Sequence, residues 1–127
     1  MSINRLTPVG ARGLIQAYTE LLIESTGSGT FNLDLRVSNA FRRVMTGNTT
    51  FAFINPPASG ELQSFFLTTQ QDATGGRTLT FPASVRWAGN TLPTIGTAAN
   101  RIDIFSFTTI DGGATYSGSL SVPNVSP

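Results

Sequence analysis

A chain of 127 residues with a formal net charge of +1, no Cys and no His is sized for one domain. On its own residues it cannot build a disulfide, a thiolate metal site, or a serine–histidine or cysteine–histidine nucleophile. No clustered basic excess marks a nucleic-acid footprint. Charged residues are 12% of the chain, about half the usual share; Thr and Ser fill the polar positions instead, which suits a pleated surface because Thr is β-branched. The nine Phe and many aliphatic residues supply a core.

In chain order, residues 1–17 (MSINRLTPVGARGLIQA) differ from everything that follows. Pro8, Gly10 and Gly13 break any regular element, and Arg5, Leu6, Val9 and Arg12 offer contacts without a periodic face. This stretch reads as an extended N-terminal arm ahead of a domain spanning 18–127. Its residues also lack the basic, apolar, small-residue order of a signal peptide, and no apolar run in the chain approaches transmembrane length. From Tyr18 to Glu24 a helical stripe (Leu14, Tyr18, Leu21, Leu22) competes with a strand face (Thr19, Leu21, Ile23). The strand reading pairs with a hairpin loop over Ser25–Gly29, leading into Phe31, Leu33, Leu35 and Val37, which alternate with Asn32, Asp34 and Arg36.

Short strands follow at Phe41–Met45 and Thr49–Ile54, joined by Thr46-Gly47-Asn48. Asn55-Pro56-Pro57 ends that run, since consecutive prolines cannot donate to a central ladder. Gln63–Thr69 and Arg77–Phe81 flank the loop Gln70–Gly76, and a longer irregular connection, Pro82–Asn100, carries Trp87. Arg101–Thr109 and Thr115–Val122 form the last pair around Asp111-Gly112-Gly113, a strong hairpin signal. Tyr116, Leu120 and Val122 are expected on one face of the final strand. About eight short strands predict an all-β, compact β-sandwich or jelly-roll-like domain.

Reactive chemistry is sparse. The carboxylates are Glu20, Glu24, Asp34, Glu61, Asp72, Asp103 and Asp111. A glycosidase needs only two, but Asp72 and Asp111 sit in turns where Asp bonds the loop backbone, and Asp34 and Asp103 alternate with apolar neighbours as solvent-facing strand residues do. No oxygen cluster matches a calcium loop, and the glycine-rich DATGGR and IDGGAT lack the strand–helix setting and lysine of a phosphate cradle. The expectation is no catalytic site, no metal and no cofactor. Trp87 has two readings: a plug at one end of the sandwich beside Val85 and Leu92, or a stacking platform for a sugar or protein partner.

Taken together, Tyr18-x-Glu20, LDL at 33–35, TGNTTFAFINPPASG at 46–60, QDATGGRTLTFPASVRWAG at 71–89 and RIDIFSFTTIDGGATYSG at 101–118 resemble a recurring β-module of tailed-bacteriophage structural proteins. In that family the module often closes tail fibres, and similar small β-domains decorate capsids. Phe81, Asn90 and Tyr116 stand where the family often has Trp, Gly and Trp, keeping aromatic or turn character at each place. The resemblance implies a non-enzymatic virion protein. A preceding arm of seventeen residues, reaching roughly 55 Å at most, suits a knob pinned to a nearby surface. The leading expectation is therefore a capsid decoration (cement) protein on the outer surface of the head, binding the major capsid protein as a homo-oligomer, a trimer over a dimer, with no nucleic acid or membrane partner. In that reading Arg5, Leu6, Val9 and Arg12 make the attachment. The alternative is a tail or tail-fibre component adhering to host surface glycans through Trp87 and its loop.

Overall fold

The computed structural model describes residues 19–127; the expected arm, with Arg5, Leu6, Val9 and Arg12, lies outside the described residues. Seven strands follow in chain order: β1 (Leu22–Asp34), β2 (Ala40–Ile54), β3 (Ser59–Gln71), β4 (Leu79–Thr80), β5 (Val85–Trp87), β6 (Ile102–Asp111) and β7 (Tyr116–Val125). They form one hydrogen-bonded sheet in the order β1-β2-β3-β6-β7-β5, with β4 paired to β2. The only helical element among the described residues is a single 3-10 turn at Ala88–Asn90. The all-β class is as expected from the period-two patterning.

Pairing between β1 and β2 is parallel, with Leu22 beside Ala40 and Asp34 beside Ile54. Parallel neighbours normally need a crossover of a dozen or more residues, yet only residues 35–39 separate these two strands. A straight strand of this length would span about 40 Å, and five residues reach only about 18 Å. The strands must therefore double back on themselves. The doubling falls where the β1–β2 register breaks, between Gly27 and Gly29 on one strand and between Met45 and Thr49 on the other. The Ser38 hydroxyl donates to the Leu21 carbonyl, which brings the start of β1 beside the turn that follows its end, and Gln63 Nε2 on β3 donates to both the Leu35 carbonyl (2.8 Å) and Asn39 Oδ1 (2.6 Å) in that turn. Each strand's own return half serves as its crossover. The bends stack closely, since a Cβ at Gly47 would lie 2.8 Å from the Ser28 Cβ.

This corrects two expectations. Ser25–Gly29 is not a hairpin loop and Thr46–Asn48 does not join two separate short strands; each is a bend within a longer strand whose two halves both pair with neighbouring strands. A third arch follows the same plan. The end of β3 pairs in parallel with the first half of β2 (Ala40 beside Phe66 through Met45 beside Gln71), and β4 pairs in parallel with its second half (Thr49 beside Leu79). Strand β6 then adds antiparallel to β3, and β7 antiparallel to β6 through the expected Asp111-Gly112-Gly113 turn.

Folding the sheet over itself encloses one aromatic core. Phe41 and Met45 on the outgoing half of β2, Phe65 and Leu67 on β3, and Phe105 and Phe107 on β6 are buried, as are Phe31, Leu33 and Phe51 on the return halves. Rings from opposite halves meet edge to face: Phe53 lies 5.0 Å from Phe65 and 4.8 Å from Tyr116 between ring centroids. Such geometry adds to simple area burial because ring edges and faces carry opposite partial charge. The outer face carries a hydroxyl ladder, Ser64 to Thr108 at 3.0 Å and Ser106 to Ser119 and Ser121 at 2.9 and 2.6 Å. Val122 belongs to this outer side rather than to the Tyr116–Leu120 face, because the β6–β7 register shifts between Phe105–Leu120 and Ile104–Val122. Val37 is likewise exposed, since the chain turns at Leu35–Val37 after the strand has ended.

Candidate functional site

The segment expected to be an irregular loop, Pro82–Asn100, contains β5 and the 3-10 turn. Strand β5 runs parallel to β7, with Val85 beside Tyr116 and Trp87 beside Gly118. Gly118 is required by close approach. A Cβ there would lie 2.9 Å from Val85 Cγ1, 3.0 Å from Phe107 Cε1 and 3.0 Å from Trp87 Cζ3, so no larger residue leaves room for the indole. Trp87 settles on the core with its ring 5.2 Å from Phe81, 5.8 Å from Phe107 and 6.1 Å from Phe105, all edge to face.

After Trp87 the 3-10 turn reverses the chain, with the Thr91 amide donating to the Ala88 carbonyl and the Thr91 hydroxyl to the Gly89 carbonyl. The result is an open hollow of about 350 Å³, a size that suits a small ligand. Trp87, Ala88, Thr91 and Pro93 form one side; Gly118, Ser119 and Leu120 of β7 form the other. No lining residue is charged. Trp87 is thus partly buried against the core rings and also borders a concave surface.

The far part of the loop is held by a residue expected to face solvent. Asp103 is buried. Its carboxylate accepts hydrogen bonds from the Gly96 amide (3.0 and 3.3 Å to its two oxygens) and from the Asn124 amide (2.8 Å). One side chain of β6 therefore clamps the loop to the end of β7. Gln71, also buried, reinforces it by donating to the Gly96 and Arg77 carbonyls and accepting from the Arg77 amide. The signal for Asp103 was available in the sequence: it shares period-two parity with Phe105 and Phe107, not with Ile102 and Ile104.

The remaining carboxylates behave as turn and surface residues. Asp72 accepts from the Thr74 and Gly75 amides and pairs with Arg77 at 2.8 Å. The Arg77 hydrogen bond, with the Gly75 and Thr74 amides behind it, lowers its pKa to about 2. Asp111 is held low by Thr115, and Asp34 by Asn55 and the Arg36 amide. These shifts run opposite to the raised pKa a glycosidase's general acid requires. No cluster of three His, Cys, Asp or Glu side chains suited to a metal occurs among the described residues, and no helix there is long and apolar enough to cross a membrane.

Residues 25–114 match the family model described as "Putative phage tail fibre C-terminal domain". The chain belongs to this family. It is a bacteriophage structural β-module and a virion component, and that membership points to a structural, non-enzymatic role. No curated protein and no solved structure matches it. The matched stretch of this tail-fibre domain includes Trp87 and the turn after it, while Gly118, Ser119 and Leu120 lie just beyond.

Proposed function

We propose that this tail-fibre domain adheres to the host surface by docking a neutral sugar in the Trp87 hollow. The observation that carries the reading is the chemistry of the lining. A pyranose presents apolar C–H faces together with a rim of hydroxyls. The hollow offers the matching parts: an aromatic ring and the Leu120 side chain for the faces, and the exposed Thr91 for the rim. The absence of charged lining residues favours neutral sugars over acidic ones. Family membership favours the fibre over the head, so attachment to a major capsid protein as a cement protein becomes the competing reading. A closed homo-oligomer, a trimer over a dimer, fits a fibre end as well as a shell.

Ala88 is an exposed residue at the border of the hollow, so Ala88→Arg fills the space without disturbing the core. The expected result is an unchanged melting temperature with loss of binding to immobilised neutral glycans and of competition for host adsorption. Glycan binding that persists undiminished in the folded variant would sink the assignment of the hollow. Copies per virion separate the competing reading: a handful indicates the tail, and hundreds indicate the shell.

A further inference from the structure

On β2 a cation is buried without an ion-pair partner among the described residues. Phe41, Arg43 and Met45 all face inward on β2, and Arg43 is only 4% exposed. Its guanidinium donates to the Ser25 hydroxyl on β1 and lies over the Phe31 ring at 5.3 Å. The two ion pairs among the described residues, Arg42–Glu24 and Arg77–Asp72, both leave it out. Arg43 Nε is buried with no hydrogen-bond partner, and so is the hydroxyl of Thr69, its cross-strand neighbour on β3. These are the two unpartnered buried side-chain atoms among the described residues, and they belong to paired residues of neighbouring strands.

An unpaired ion inside a protein costs several kcal/mol, and each unsatisfied polar atom adds to that. We propose that Arg43 and Thr69, supported by Ser25, form an internal site for a small monovalent anion such as chloride. Two donors on paired neighbouring strands can be bridged by a single atom, which favours a monatomic ion over an oxyanion. A water molecule would satisfy the same two donors but leave the charge uncompensated. Gly27 sets the approach from the sheet edge: its missing side chain faces the guanidinium, with a Cβ position 3.6 Å from both terminal nitrogens. The site is independent of the Trp87 hollow and of the adhesion reading.

The test is thermal melting of the full chain at constant ionic strength, with sodium isethionate exchanged for sodium chloride, since isethionate is too large to enter. Chloride at tenfold excess over its Kd should raise the melting temperature by about 5 °C. Thr69→Val keeps the shape of the side chain and removes the hydroxyl. It should fold, melt no lower than the parent in isethionate, and lose most of the chloride increment. In crystals soaked with bromide, an anomalous peak is expected between Arg43 Nε and Thr69 Oγ1. Equal melting temperatures in the two salts, a full chloride increment in Thr69→Val, or bromide found only on surface arginines (an adventitious ion only) would each overturn the proposal.

Discussion

Trp87→Ala separates the structural duty of one side chain from the binding duty proposed for it. Removing a fully buried Trp costs about 3–5 kcal/mol. Trp87 is only partly buried, and one side of it borders the hollow rather than protein. What it loses is chiefly its three edge contacts with Phe81, Phe105 and Phe107, each worth about 0.5–1.5 kcal/mol and not additive within one cluster. A cost of about 2–3 kcal/mol follows, or a fall of roughly 10 °C in melting temperature for a domain of this size. Sugar affinity should fall more than tenfold in the same protein, measured below its transition. Scanning calorimetry and titration against a neutral glycan read the two effects separately. An unchanged melting temperature would refute the packing account, and full sugar affinity in a destabilised but folded variant would refute the platform account.

Asp103→Ala should cost about 3 kcal/mol, because it removes charge-assisted bonds and leaves the buried Gly96 amide unpaired; faster hydrogen exchange at the Gly96 and Asn124 amides is the site-specific readout, and unchanged exchange at both would refute the clamp. For Asp72 the folded pKa lies below its ordinary value of 3.8, at about 2. Its contribution is therefore present above pH about 4 and is lost as pH falls through about 2. Asp72→Asn should melt lower than the parent near neutrality and converge with it toward pH 2, and parallel melting curves across that window would contradict the Arg77 pairing.

Which parts of this architecture were legible depended on whether local chemistry had one structural outcome. Asp111-Gly112-Gly113 followed by alternating residues gives an antiparallel hairpin, and β6 and β7 form one. Gly27-Ser28-Gly29 uses the same residue types, yet the chain there folds into an arch. The difference lies in where the return half finds its hydrogen bonds: Thr30–Asp34 pair with Thr50–Ile54, some twenty residues away, and no local pattern encodes that choice. Burial followed parity more faithfully than the expected faces did. Arg43 and Asp103 are both inward by period two, and Asp103 was misplaced because a charge suggests solvent. Each sits inside for a different reason. Asp103 is satisfied by backbone amides, whereas Arg43 has the Ser25 hydroxyl and an aromatic face but no carboxylate partner among the described residues.

The hollow itself could not be read from the chain because its two sides come from segments about thirty residues apart, brought together by the parallel pairing of Trp87 with Gly118. That pairing also divides labour along the sequence. Trp87 and the following turn lie within the stretch shared with the tail-fibre family, and Ser119 and Leu120 fall outside it. Leu120 packs against the core, so changing it alters packing as well as the pocket. Ser119 instead bonds Ser106 on the outer face, and its replacement leaves the aromatic cluster untouched. On the proposed sugar reading, substitution of the exposed Thr91 would change which sugar the hollow prefers, with the arches and the Asp103 clamp holding the platform in place.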